Sequence, residues 1–233
     1  SCRQNQRSIR VKRFNFFLLS LSALVFCMSG PAAAKEADLP DVTVDGLHRV
    51  PDSKMAIVYA EPGADLAQYN RILLLDAYVA FKKNWERDQR SSSITSFRVT
   101  PKDIEKIKAN LAQEFHTIFK KVLEDGGYEV VDEAAEDTLL LRPAIINLDV
   151  NAPDTPRSGG TYSITSSAGE MTLYVELYDS ITGDLIAKAM DRRVDNNAYY
   201  TWSNSVTNRR AAEKILTGWA GILLDALNEA KQP

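Results

Sequence analysis

The chain has 233 residues, 45% of them hydrophobic and 25% charged, with a formal net charge of −3; this composition belongs to a folded globular protein and excludes disordered, collagen-like and disulfide-rich classes. Residues 1–34 hold five basic side chains and no acidic one, which leaves 23 of the 28 basic residues against all 31 acidic ones, a balance of −8, in the rest of the chain. So acidic a body argues against nucleic acid as a partner, because Lys and Arg must neutralise phosphates.

The first segment has three parts in order. Arg3, Arg7, Arg10, Lys12 and Arg13 come first, then a mostly apolar run from Phe14 to Met28, then Ser29-Gly30-Pro31-Ala32-Ala33-Ala34. That is the order of a secretory signal peptide. The apolar run is shorter than the roughly 20 residues that a spanning helix needs, and Asn15, Ser20 and Ser22 interrupt it. Ala32-x-Ala34 offers the small side chains that a signal peptidase accepts, so cleavage is expected between Ala34 and Lys35, releasing a soluble periplasmic protein. The rival is a lipid anchor on Cys27. There bulky Phe26 stands where lipoprotein signals carry Gly or Ala. Cys2 and Cys27 are the only cysteines, so residues 35–233 offer no thiol for a disulfide, a nucleophile or a metal site.

Residues 35–53, rich in Asp and Pro, read as a tether, and residues 54–233 as one domain. Met55–Tyr59 is a short strand closed by Pro62-Gly63. Arg71–Phe81 (RILLLDAYVAF) is a longer strand with an irregularity at Asp76. Thr100-Pro101-Lys102-Asp103 starts a helix: Thr caps it, Pro fits the first helical position and Asp favours the first turn. Ile104, Ile107, Leu111, Phe115, Ile118, Phe119 and Val122 then recur at steps of three and four until Gly126-Gly127 ends the element. Tyr128–Val131, Leu139–Val150 and Glu170–Ser180 read as strands. SITGD (180–184) is a hairpin turn with Gly183 at positive φ, and Leu185–Met190 returns. Residues 151–169, rich in Gly, Ser, Thr and Pro, read as a long loop. Val206–Ala230 carries Ile215, Trp219, Ile222, Leu223, Ala226 and Leu227 at helical spacing. The order gives one α+β domain, an antiparallel or mixed sheet with two main amphipathic helices packed on one face.

Chemical motifs are sparse. His48 and His116 have no partner at metal spacing, and no H-E-x-x-H, G-x-S-x-G, S-x-x-K or phosphate-cradling glycine loop occurs, so no metal or cofactor is implied. Asp149–Asp154 departs from a calcium loop at its sixth position, where Asp154 replaces glycine, and at its twelfth, Gly160. Asp76, Asp149, Glu170, Glu176, Asp179 and Asp191 lie on or beside predicted strands. A carboxylate hydrolase of cell-wall or glycan material needs two carboxyl groups about 5–10 Å apart, and Asp149 with Glu176 is the pair to test. Strand alternation sets Met171, Leu173, Val175 and Leu177 toward a core and Thr172, Tyr174, Glu176 and Tyr178 on the opposite face. That ladder reads either as cross-strand pairing within the sheet or as a face for a glycan, a peptide or another subunit. Trp85 and the Tyr199-Tyr200-Thr201-Trp202 run admit the same two readings, with buried anchors as the default.

Three stretches together, VPDSKMAIVYAEPGADLAQYNRILLLDAYVAFKKNW, GGYEVVDEAAEDTLLLRPAIINLDVNAPD and GEMTLYVELYDSITGDLIAK, resemble the bacterial family called domain of unknown function 3313, over about residues 45–230. The resemblance implies a Gram-negative envelope location and brings no activity and no catalytic or ligand residues. Relatives tend to look like lipoproteins, and the residues before Cys27 depart from that pattern. The expected role is a non-enzymatic periplasmic module that binds an envelope protein or glycan, with a hydrolase or a subunit of an oligomeric envelope assembly as alternatives.

Overall fold

A computed structural model describes residues 39–92, 99–150, 163–203 and 205–232; within these, the side chains of 89–92, 163–168, 195–203 and 205–208 are not described. The chain divides into two units, Ser1–Leu39 and Pro40–Pro233, and all elements below belong to the second. Cys27, Ala34 and Lys35 lie outside the described residues, as do the side chains of Tyr199, Tyr200 and Trp202.

Among the described residues eight strands form one mixed sheet: β1 (His48–Arg49), β2 (Ile57–Ala60), β3 (Arg71–Leu74), β4 (Tyr78–Phe81), β5 (Glu129–Val131), β6 (Thr138–Val150), β7 (Ser163–Asp179) and β8 (Leu185–Ser203). Their order is β1-β2-β8-β7-β6-β3-β5, with β4 also on β6. β3 and β4 both run parallel to β6, against Thr138–Leu141 and Ala144–Leu148 respectively. The run from Arg71 to Phe81 is therefore one strand broken at Leu75–Ala77, around the expected irregularity. Strands β6, β7 and β8 form an antiparallel meander.

Among the described residues the α-helices are α1 (Trp85–Ser92), α2 (Pro101–Asp125) and α3 (Ser205–Ala230), with a short 3-10 turn at Leu66–Gln68. At the start of α2 the Thr100 hydroxyl accepts the Asp103 N–H while the Asp103 carboxylate accepts the Thr100 N–H, a reciprocal capping box ahead of Pro101. Its end is closed by Gly127 at φ +92, with the Tyr128 N–H reaching back to the Leu123 carbonyl. Gly127→Ala places a Cβ in that left-handed conformation. It is expected to lower stability by about 1 kcal/mol, read from the midpoint of chemical unfolding.

Phe115, Phe119 and Leu123 of α2 and Leu216, Trp219, Ala220 and Leu227 of α3 are buried with Leu139, Leu141, Ile145, Leu173 and Leu177 of the sheet in one core. Phe115 and Phe119 stack with ring centroids 3.9 Å apart. Both long helices thus cover one sheet face. Ala226, placed on the apolar stripe by spacing, is exposed, and Leu216 and Ala220 take the inward positions.

Two expected boundaries shift. The folded unit starts at Pro40: within the stretch read as a tether, Val42 bridges to His48, β1 pairs with β2, and Leu47 is buried. The stretch 151–169, read wholly as loop, gives its residues 163–169 to β7, paired along the extended β8 as far as Ser163 with Ser203. Gly169, at φ +152, lies where a Cβ would come 2.3 Å from the Asp149 carbonyl oxygen. The close strand approach there therefore requires glycine.

Candidate functional site: the outer face of the sheet

Register fixes which side chains share the face opposite the helices. One row crosses Arg142, Glu176, Lys188 and Tyr59, and the next crosses Tyr78, Ala144, Tyr174, Met190 and Ile57. The first strands cover part of this face. The Tyr59 hydroxyl donates to the Pro40 carbonyl at 2.8 Å, Lys188 pairs with Asp45, and both Tyr59 and Leu47 are buried. Toward β4 and β6 the face is open. Tyr78 is 67% exposed, and Leu75 and Arg142 are exposed near it.

The expected Thr/Tyr/Glu/Tyr ladder is present, and its chemistry is internal. The Tyr174 and Tyr178 hydroxyls donate to the two oxygens of Glu176 at 2.7 and 2.9 Å, and Arg142 lies 3.4 Å from Oε2. Thr172 is buried. Burial first, and the bond to Glu176 second, push both phenols above their ordinary value. The carboxylate thereby fixes two half-buried rings, Tyr174 in the row of Tyr78 and Tyr178 one row beyond Arg142. In Glu176→Gln the two tyrosines are expected to ionise at lower pH than in the parent and still above about 10, because burial remains. Absorbance titration of tyrosinate reads this directly.

The other carboxylates separate. Asp149 lies directly opposite Glu170, while Glu176 is six residues further along β7, roughly 20 Å at strand rise. That is beyond any spacing a two-carboxylate hydrolysis uses, so the Asp149–Glu176 pairing is out of reach. Asp149 and Glu170 do meet, with Lys82 Nζ at 3.1 and 3.9 Å from them and Arg192 on Glu170. Two cations neutralise the two anions. Asp76 is exposed between β3 and β4, Asp179 holds the β7–β8 turn, and Asp191 points into the core. His48 is exposed, and His116 is half-buried on α2. Trp85 is 3% exposed, stacks on Phe81 at 4.1 Å and donates its ring N–H to the Val150 carbonyl at 3.3 Å, which makes it a buried anchor. Among the described residues no three His, Cys, Asp or Glu side chains are placed to hold a metal ion, and no helix is long and apolar enough to cross a membrane.

Sequence reasoning missed Tyr78 and Arg142. The available signal was the break at Asp76, which lets Tyr78 emerge on the open face.

The family model for proteins of unknown function DUF3313 matches residues 42–223. The chain belongs to the DUF3313 family. No curated protein matches this DUF3313 chain. Solved structures similar to it include a point variant of the PelC dodecamer from Paraburkholderia phytofirmans, at 15% identity over 71% of this chain and 97% of that one, TM-score 0.38. A DUF330 protein from Xanthomonas campestris is similar at 12% identity over 67% and 82%, TM-score 0.39. A DUF4136 protein from Bacteroides thetaiotaomicron is similar at 11% over 72% and 94%, TM-score 0.34. At these values the likenesses carry no argument about function or assembly.

Proposed function

We propose that this protein is a non-enzymatic interaction module of the bacterial cell envelope, and that the open part of its outer sheet face receives an envelope protein. The observation that carries the reading is the uncovered strip from Tyr78 to Arg142. There an exposed tyrosine and arginine stand in adjacent rows with Ala144, Tyr174 and Glu176. Tyr and Arg dominate the energetics of protein interfaces, and the bonds to Glu176 hold the Tyr174 and Tyr178 hydroxyls in place before any partner arrives. The envelope address rests on the leading segment, whose basic, apolar and small-residue order supports export with cleavage between Ala34 and Lys35. Acylation of Cys27 is the alternative, and either outcome leaves the module in the envelope. Mass spectrometry of the cellular N-terminus separates a free Lys35 amine from a lipidated cysteine.

Chemical crosslinking of intact cells tests the binding surface. A discrete adduct is expected that disappears in Tyr78→Ala/Arg142→Ala and persists in Lys106→Ala on the exposed side of α2. An adduct indifferent to Tyr78 and Arg142 overturns the assignment, and an adduct of twice the protein's own mass identifies a second copy as the partner.

A further inference from the structure

A second binding feature lies at the margin of the sheet, away from the Arg142 strip. β4 pairs with β6 on one side, and among the described residues no strand lies against its other side. An open edge presents backbone N–H and C=O groups that accept another strand. A cleft of about 480 Å³ runs beside this edge, a volume typical of specific sites. It is bounded by Ala80, Phe81 and Lys82 at the end of β4, by Glu86 and Arg87 at the start of α1, and by Ile104 and Lys108 on the first turns of α2. A strand edge facing a helix across a groove is the geometry in which domains take extended peptides by strand addition.

The lining also states a preference for charge. Phe81, stacked on Trp85, and the nearly buried Ile104 give the groove an apolar wall. Among the described residues that line it, Lys82, Arg87 and Lys108 stand against the carboxylate of Glu86. Lys82 is held between Asp149 and Glu170, Arg87 counts Asp88 among its partners, and Lys108 pairs with Glu105; none of these four carboxylates lines the groove. Exposed pairs of this kind are weak. At Arg87 and Lys108 a ligand carboxylate can join or replace these exposed partners at little cost, and at Lys82 it adds to a charge already shared by two carboxylates.

We propose that the cleft takes an extended, acidic polypeptide segment as an added strand on β4. Backbone hydrogen bonds to the edge supply affinity, alternate apolar side chains pack on Phe81 and Ile104, and acidic residues between them meet the three cations. This site is independent of the outer-face strip.

The test is fluorescence anisotropy on the full chain with a dye-labelled short peptide alternating valine and glutamate. Saturable binding is expected. Roughly tenfold or greater weakening is expected when alternate backbone nitrogens of the peptide are methylated, when lysine replaces glutamate, and in Arg87→Glu/Lys108→Glu. The milder Lys108→Gln, checked for an unchanged thermal midpoint, is expected to weaken binding by a smaller factor, and Arg142→Glu is expected to leave it unchanged. No saturable binding, equal binding of the methylated peptide, equal binding of the lysine peptide, or insensitivity to both cleft variants overturns the proposal. Loss through Arg142→Glu alone overturns it too, because the peptide then sits on the outer face.

Discussion

Replacing Asp191 with alanine is expected to lower the stability of the fold by about 2–4 kcal/mol, from losing charge-assisted hydrogen bonds and leaving a buried donor without an acceptor. Asp191 is 6% exposed on β8 and accepts from three donors: the ring N–H of Trp219 at 2.8 Å, Arg193 Nε at 2.5 Å and the Ala56 backbone N–H at 3.2 Å. It thus ties α3, β8 and the approach to β2 at one carboxylate. Alanine leaves the Trp219 N–H, on a ring that is 1% exposed, without an acceptor inside the core. Trp219→Phe is milder in hydrogen bonding, since it removes one donor and leaves the carboxylate with two, a loss of about 1.5–3 kcal/mol for that bond. Urea denaturation reads both as a shift of midpoint at constant slope. An Asp191→Ala cost below about 1 kcal/mol contradicts the account.

The second large effect is a stability that falls at both ends of the pH scale through one contact. Tyr69, 2% exposed, donates its hydroxyl to Asp179 Oδ2 at 2.9 Å, and Asp179 Oδ1 accepts the backbone N–H groups of Ile181 and Thr182. Burial, then the bond to Asp179, pushes the Tyr69 phenol up to about 12. The folded state therefore holds this proton more tightly than the unfolded one, whose phenol titrates near 10. Stability from this group is intact below about pH 10 and is lost as pH rises through about 12. Asp179 behaves oppositely. The Thr182 N–H first, with help from Tyr69 and Ile181, holds its carboxyl below the ordinary range. Its contribution is intact above about pH 4 and is lost as pH falls through the lowered folded value. Tyr69→Phe is expected to cost about 1.5 kcal/mol at neutral pH. The gap to the parent should then narrow between about pH 10 and 12, where the parent's unfolded chain ionises this phenol while its folded state keeps the proton. A gap that stays constant across that interval contradicts the assignment.

The parts of this architecture that were legible in the sequence are those with one periodic signal. Thr100-Pro101 and Gly126-Gly127 bracket α2 because capping and left-handed termination are local chemistry, and Met171–Tyr178 reveals its two faces by strict alternation. Where two signals overlap, reading fails. Leu185–Met190 carries apolar residues on both faces, with Lys188 alone marking the outer one, so nothing local says that Asp191 continues the inward set and finds Trp219. Trp85–Ser92 is helical with no apolar period to announce it. The Ser/Thr/Gly composition of 163–169 masks a strand that pairs with β8 and, at Gly169, with Val150 of β6. At the site, Tyr174, Glu176 and Tyr178 were named from alternation alone. Tyr78 depends on a parallel register with Ala144, which is a long-range fact.

The claim on which the functional account rests is that the strip between Tyr78 and Arg142 meets a partner in the envelope. A photoreactive phenylalanine analogue placed singly at positions 78, 144 and 106, followed by irradiation of living cells, measures it most directly. The account predicts one shared crosslinked product from positions 78 and 144 and none of that product from position 106 on α2. A product formed from position 106 and absent from 78 and 144 would contradict it.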